Sequence, residues 1–205
     1  MADRPGLKAV DLFQAVEQGK VKAVWVIATN PLVSMPDANQ VKRALDKCEL
    51  VVVSDIVGGT DTGAFAGVLL PALGWGEKDG TVTNSERCIS RQRAFLPAPG
   101  EARADWQILC GVAQRMGFTG FDFASPHEVF DEHARLSTWR NEGACTRQFR
   151  LDGLAGMDGK AYDTLEPVQW PVMRGEGGTP EGTARMFSHG RFVTVTPRAA
   201  AHATD

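Results

Sequence analysis

The 205 residues carry a formal charge of −3, with 43% apolar and 23% charged side chains. Those are the proportions of one ordinary soluble globular domain, with room for an irregular extension. They exclude a binder that grips nucleic-acid phosphates by a surplus of basic charge, and no apolar run nears the roughly 20 residues of a membrane-spanning helix. Met1-Ala2-Asp3-Arg4-Pro5-Gly6 lacks the apolar core of a secretory signal, so a cytoplasmic protein is expected.

The elements follow in chain order. Apolar residues at 9, 12, 13 and 16 have helical spacing, and Gly19 ends that helix. Lys22 to Ala28 is a short continuous apolar run of the kind a buried parallel strand shows. Met35-Pro36-Asp37 starts a helix to Cys48 with Val41, Ala44 and Leu45 on one face. Leu50 to Val53 reads as a second buried strand, Thr60 to Ala66 as a short helix, and Val68-Leu69-Leu70 as a third strand stopped by Pro71. Strands alternating with helices in this order imply parallel pairing with right-handed crossovers.

Gly74 to Phe95 mixes turn formers with a short extended stretch. Asp105 to Met116 is a helix with Asp105 as N-cap and a stripe of Ile108, Leu109, Val112 and Met116, closed by Gly117. Pro126 to Thr138 is another, with Val129, Phe130 and His133 on one side. From Asn141 glycine and proline dilute the pattern. The expected fold is α/β: a Rossmann-like parallel sheet with flanking helices over residues 1–120, a helical extension over 121–140, and an irregular segment over 141–205 that packs on a further domain.

Cys48, Cys88, Cys110 and Cys145 form no Cys-x-x-Cys pair, which argues against a zinc or iron–sulfur site within the chain and for reduced, mostly buried thiols. His127, His133, His189 and His202 are scattered, with His133 read as a packing residue. The chain has neither a Gly-x-Ser-x-Gly elbow nor a His-Glu-x-x-His pair, and no Gly-x-Gly-x-x-Gly follows the first or second strand. No catalytic or metal-ligating residue is therefore assigned.

Ligands of an open parallel sheet lie beyond the carboxyl ends of the strands. Three stretches sit there: Thr29-Asn30-Pro31, Ser54-Asp55, and the segment after Pro71 with Trp75, Glu77 and Lys78. Each has a plain structural alternative, since Asn30 and Asp55 suit turns, Lys78 suits a solvated loop and Asp105 suits a helix cap. Together they offer carboxylates for ribose or a guanine N–H edge, an amide for a base, and a cation for phosphate.

The run Val53-Ser54-Asp55, Thr60-Asp61-Thr62, Phe65-Ala66, Val68-Leu69-Leu70-Pro71, Trp75, Glu77-Lys78-Asp79-Gly80-Thr81 and Thr83-Asn84-Ser85-Glu86-Arg87 resembles the molybdopterin oxidoreductase family. Trp25 with Asn30-Pro31, Ala98-Pro99-Gly100-Glu101-Ala102-Arg103 before Asp105-Trp106, and Gln169-Trp170-Pro171 extend the likeness to roughly residues 5 to 205, nearest the assimilatory nitrate reductases.

The resemblance implies an internal piece of a longer enzyme that carries molybdenum between two molybdopterin guanine dinucleotides. The [4Fe–4S] cluster and the metal ligand would lie in other regions, and the partners would be the remaining domains and an electron-donor protein. It also implies that Asn30, Ser54, Asp55, Lys78 and Asp105 contact one guanine dinucleotide. The alternatives are the same family acting on another substrate such as formate, or a free-standing nucleotide-binding or scaffold module without redox activity. One departure stands out: where the family reads Ala-Asp-Val-Leu-Leu-Pro, this chain has Ala66-Gly67-Val68-Leu69-Leu70-Pro71.

Overall fold

The computed structural model describes residues 5–142 and 147–186. Cys145, His189 and His202 lie outside the described residues, as does the rest of the segment beyond 186. The chain divides into two compact units. The first takes the described residues up to Lys78 together with Arg93–Asp122, and the second takes Asp79–Gln92 with the described residues from 123 onward.

In the first unit, α1 (Ala9–Glu17) leads through Gly19, at a left-handed φ of 71°, into β1 (Ala23–Ile27). A four-residue helix α2 (Pro31–Ser34) precedes α3 (Ala38–Lys47). Asp37 caps α3, accepting a hydrogen bond from the Gln40 amide at 2.9 Å. The start signal at Met35-Pro36-Asp37 thus acts through Asp37, with Pro36 left outside the helix. Next come β2 (Leu50–Asp55), a 3-10 turn at Gly63–Phe65, and β3 (Val68–Pro71). The three strands are parallel in the order β1-β2-β3, with Ala23 opposite Leu50 and Val52 opposite Val68.

Pleating sends alternate residues to opposite faces, so Val24, Val26, Val51 and Val53 point one way into a core with Phe13 and Val16 of α1 and Val41, Ala44 and Leu45 of α3. The runs expected as strands buried on both faces are therefore fully buried on one. β3 is exposed at Val68 and Leu69, because it is the sheet's edge among the described residues. It also runs one residue further than expected: Pro71 pairs with Asp55 through its Cα register, at a position where an edge strand tolerates proline.

After β3 the chain makes a 3-10 turn (Trp75–Glu77). The second unit then opens with β4 (Gly80–Thr83) and β5 (Cys88–Gln92), an antiparallel hairpin where a loop with one extended stretch was expected. Its turn is built by Asn84, whose side chain accepts hydrogen bonds from the Glu86 and Cys88 amides. The chain returns to the first unit for α4 (Asp105–Arg115), whose buried residues are Ile108 and Cys110. Leu109 and Met116 of the expected stripe are exposed. The Cys110 thiol is pushed up by burial, while Cys48 and Cys88 are only half-buried.

In the second unit α5 (Pro126–Thr138) is capped by Ser125 and buries Phe130, Ala134 and Ser137. The inward stripe is offset from the expected one, and His133 is exposed with its ring 5.5 Å from that of Phe149. The segment expected to be irregular contains α6 (Gly159–Asp163), β6 (Val168–Gln169), β7 (Val172–Arg174) and β8 (Pro180–Gly182). β6 adds to β5, and β7 pairs with β8. Ile89, Phe130, Leu151, Leu154, Tyr162 and Val172 close this unit's core. The residues that flank these short strands are held from far along the chain: Arg87 donates to the carbonyls of Trp170, Thr183 and Ala184.

Candidate functional site

The carboxyl ends of β1, β2 and β3 open on a cavity of about 260 Å³ in the first unit. Ala28, Asp55, Leu73, Trp75, Lys78 and Asp105 are among its lining residues. Three of the five residues expected to bind a ligand, Asp55, Lys78 and Asp105, are therefore in one place.

Each is put there by local chemistry. Asp55 ends β2, and its Oδ1 accepts hydrogen bonds from the Ile56 and Val57 amides at 2.7 and 3.3 Å. That turns the chain at the strand end and fixes the carboxylate. Lys78 follows the 3-10 turn that Glu77 closes by accepting from the Gly74 amide at 2.6 Å. Asp105 is the first residue of α4, and Ala104 holds the N-cap position expected of it. Its side chain is thereby free of capping, and its Oδ2 takes the Lys78 ammonium at 2.6 Å. The other oxygen, Oδ1, is buried without a protein partner.

The remaining two sit beside the cavity. Ser54 is 1% exposed, and its hydroxyl accepts from the Trp25 indole N–H at 2.8 Å, so it underlies the strand end. Asn30 stands two residues beyond Ala28, at the N-cap of α2, where its carbonyl accepts from Val33 and Ser34 at 3.0 Å. Its side chain meets Thr62 and Asp61, not the cavity lining.

Ala28, which no sequence signal marked, has φ 54°, a left-handed conformation that costs an L-residue about 1–2 kcal/mol. Its amide is nevertheless held by the Ser54 carbonyl at 2.9 Å. Strain of this kind gathers where a backbone is shaped around a ligand. Trp75, 68% exposed, forms part of the rim.

The electrostatics follow from the inventory. Asp55 and Asp105 against Lys78 leave one net negative charge, and Lys78 is already committed to Asp105. The cavity therefore favours a ligand face rich in N–H and O–H donors over a bare phosphate. Among the described residues no group of three or more His, Cys, Asp or Glu side chains could hold a metal ion, and no helix is long and apolar enough to cross a membrane.

Comparison with known proteins places these residues in context. The family model described as molybdopterin oxidoreductase matches residues 1–115, which include all five candidates. The nitrate reductase of Klebsiella oxytoca is 52% identical over 100% of this chain and 24% of its own length. The assimilatory nitrate reductase catalytic subunit of Bacillus subtilis (strain 168) is 32% identical over 90% of this chain and 24% of its own. The chain thus spans about a quarter of the length of these curated relatives. Among solved structures, acetylene hydratase from Pelobacter acetylenicus shares the fold at 20% identity, with a TM-score of 0.56 over 77% of this chain and 20% of that one.

Proposed function

The chain belongs to the molybdopterin oxidoreductase family, and on that premise we propose that it forms the part of an assimilatory nitrate reductase that cradles the guanine end of a molybdopterin guanine dinucleotide. The observation that carries this reading is the pairing of an unpartnered, buried Asp105 Oδ1 with the Asp55 carboxylate in one cavity at the strand ends.

The residues fit the group. Guanine offers N1–H and N2–H donors, and ribose offers hydroxyls, to which carboxylates are matched acceptors. At about 260 Å³ the cavity is slightly smaller than the roughly 300–1,000 Å³ of complete small-molecule sites, so it takes one end of a dinucleotide and not the whole. Asp55 and Asp105 would accept from the nucleoside, Lys78 would hold Asp105 in place, and Ser54 would support the strand end from beneath.

When bound, the molybdopterin group supplies the two-electron chemistry that takes nitrate to nitrite. This chain's own residues bind and orient it. The iron–sulfur cluster, the metal ligand and the contacts to an electron donor belong to other regions of the longer enzyme on this reading, with the whole acting in the cytoplasm. The preference for nitrate rests on relatives of 52% and 32% identity that bear that name.

Calorimetric titration of the full chain with GDP tests the reading. Binding is expected, and Asp55→Ala should weaken it about tenfold, the loss of one hydrogen bond to a charged group. Equal binding by the variant would remove the cavity from the reading.

A further inference from the structure

The cavity at the strand ends has two kinds of wall. One is polar, made by the carboxylates of Asp55 and Asp105 with Lys78. The other is apolar: the lining also holds Ile56 and Trp75, two large side chains that remain exposed. Covering an indole removes about 150–250 Å² from water. A tryptophan left 68% exposed beside a cavity is therefore a surface for a ligand to cover.

The main chain on each side of Trp75 is held. Gly74 donates its amide to Glu77 Oε2 at 2.6 Å, and its carbonyl accepts from the Glu77 amide at 3.2 Å. The Gly76 carbonyl accepts from the Phe95 and Leu96 amides at 2.9 and 3.0 Å. The side chains of the same two residues back the turn, since an added Cβ at Gly76 would come within 2.8 Å of the Phe95 ring and 3.0 Å of Leu96. The turn is thus seated on residues 95 and 96, while the indole it carries stays at the cavity rim. An aromatic side chain with two torsions, on an anchored turn, loses little freedom when a ligand covers it.

The two walls distinguish the parts of a nucleoside. Ribose carries hydroxyls around its ring and has no flat face for an indole. A nucleobase has a π face, and guanine adds N–H donors along one edge. Carboxylates accept from that edge and an indole covers the face, so both walls are used only when the base occupies the cavity.

We infer that Trp75 is a specificity-determining residue of this cavity: it stacks on the base of the bound nucleotide, whose N–H edge turns in to Asp55 and Asp105, while ribose and phosphates lie outside. This deepens the nucleotide reading of the cavity and rests on it. The net negative charge of the cavity acts in the same direction, because it repels the phosphates.

The test titrates the full chain calorimetrically beside Trp75→Leu, which keeps apolar bulk without a π face, and Trp75→Phe, which keeps the face. GDP should bind about tenfold more weakly to Trp75→Leu, and to Trp75→Phe within about threefold of the wild type. GDP should quench indole emission in the wild type and not in Trp75→Phe, although that variant still binds. Quenching that persists in Trp75→Phe would mean that another tryptophan meets the ligand, and overturns the inference. Ribose 5-phosphate binding as tightly as GDP would put the sugar in the cavity and also overturns it. Equal GDP affinity in Trp75→Leu and the wild type removes the stacking and leaves the nucleotide reading, which Asp55→Ala tests separately. That outcome is the one expected if another region of the longer enzyme covers the indole. A wild type that binds no GDP removes the nucleotide reading and the stacking together.

Discussion

Lys78 Nζ and Asp105 Oδ2 stand 2.6 Å apart across 27 residues of sequence, tying the segment after β3 to the first turn of α4. About 30% of each side chain is exposed, so the pair is neither a bare surface contact nor a buried one. Asp105 at the first helical position also faces the positive end of the α4 dipole. The carboxylate is thus held by two favourable fields, and the ammonium by one.

That asymmetry separates the two residues experimentally. Lys78→Met leaves Asp105 its helix and its ligand, and should lower GDP affinity about threefold. Asp105→Ala removes the acceptor itself and should lower it about tenfold or more, the measure of a hydrogen bond to a charged group. Calorimetric titration of the two variants gives the order. A larger loss in Lys78→Met would mean that the ammonium meets the ligand directly.

In the second unit Arg91 is the polar counterpart of the core. Its side chain is 4% exposed, and it donates to Asp79, Asp163 and the carbonyls of Gly80, Gln92 and Tyr162, with its guanidinium 4.2 Å from the Tyr162 ring centroid. Arg91→Met removes the side-chain donor from three carbonyls, of which Tyr162 keeps the Leu165 amide at 3.2 Å, and from two exposed carboxylates, and should destabilise the unit by about 1–3 kcal/mol. Arg91→Lys should recover little, because one ammonium cannot reproduce a planar fork. Hydrogen exchange should quicken in β4, β5 and α6 and stay unchanged in β1 and β2. Equal effects in both sets of strands would contradict a local role.

What could be read from the sequence followed how local each signal is. β1 and β2 announce themselves as valine-rich runs, and Asp37 caps the helix whose face Val41, Ala44 and Leu45 supply. The β4–β5 hairpin was missed because its turn depends on Asn84 bonding two amides and on Arg87 at φ 70°, without the short glycine turn that marks hairpins. β6 to β8 are two or three residues long and are defined by their pairing, β6 with the distant β5 and β7 with β8, which no local period records. At the site, the strand-end rule located Asp55, while the Asp105 role shifted by one position because Ala104 takes the cap. The left-handed Ala28 and the Thr62 bond to Asn30 come from tertiary packing, and the sequence gives no hint of either.

Two glycines allow opposite expectations. Gly67 donates its amide to the Val51 carbonyl, and an added Cβ would meet only that oxygen at 3.7 Å. Gly67→Ala should therefore stabilise by about 0.4–1 kcal/mol, through the restricted unfolded chain. An added Cβ at Gly153 would overlap the Met173 carbonyl in the core of the second unit. Gly153→Ala should destabilise by about 1–3 kcal/mol as the backbone moves aside. Thermal unfolding of both gives the signs, and a destabilised Gly67→Ala would show that this position needs backbone freedom.

Asp131 on α5 supplies a pH dependence. Burial pushes its carboxyl up, but the Arg135 side chain at 2.7 Å, the Gly156 amide at 2.6 Å and the positive charges nearby outweigh it and hold the carboxyl below its ordinary value of 3.8. A group whose pKa is lowered by folding stabilises the fold while ionised in both states. Its contribution is complete above the unfolded value and is lost as pH falls through the folded one. Asp131→Asn should therefore be less stable than the wild type at pH values above about 4, with the gap narrowing towards about pH 2. Urea unfolding across that range measures the gap. A gap that stays constant with pH would mean that shape, and not charge, is what Asp131 contributes between α5 and Gly156.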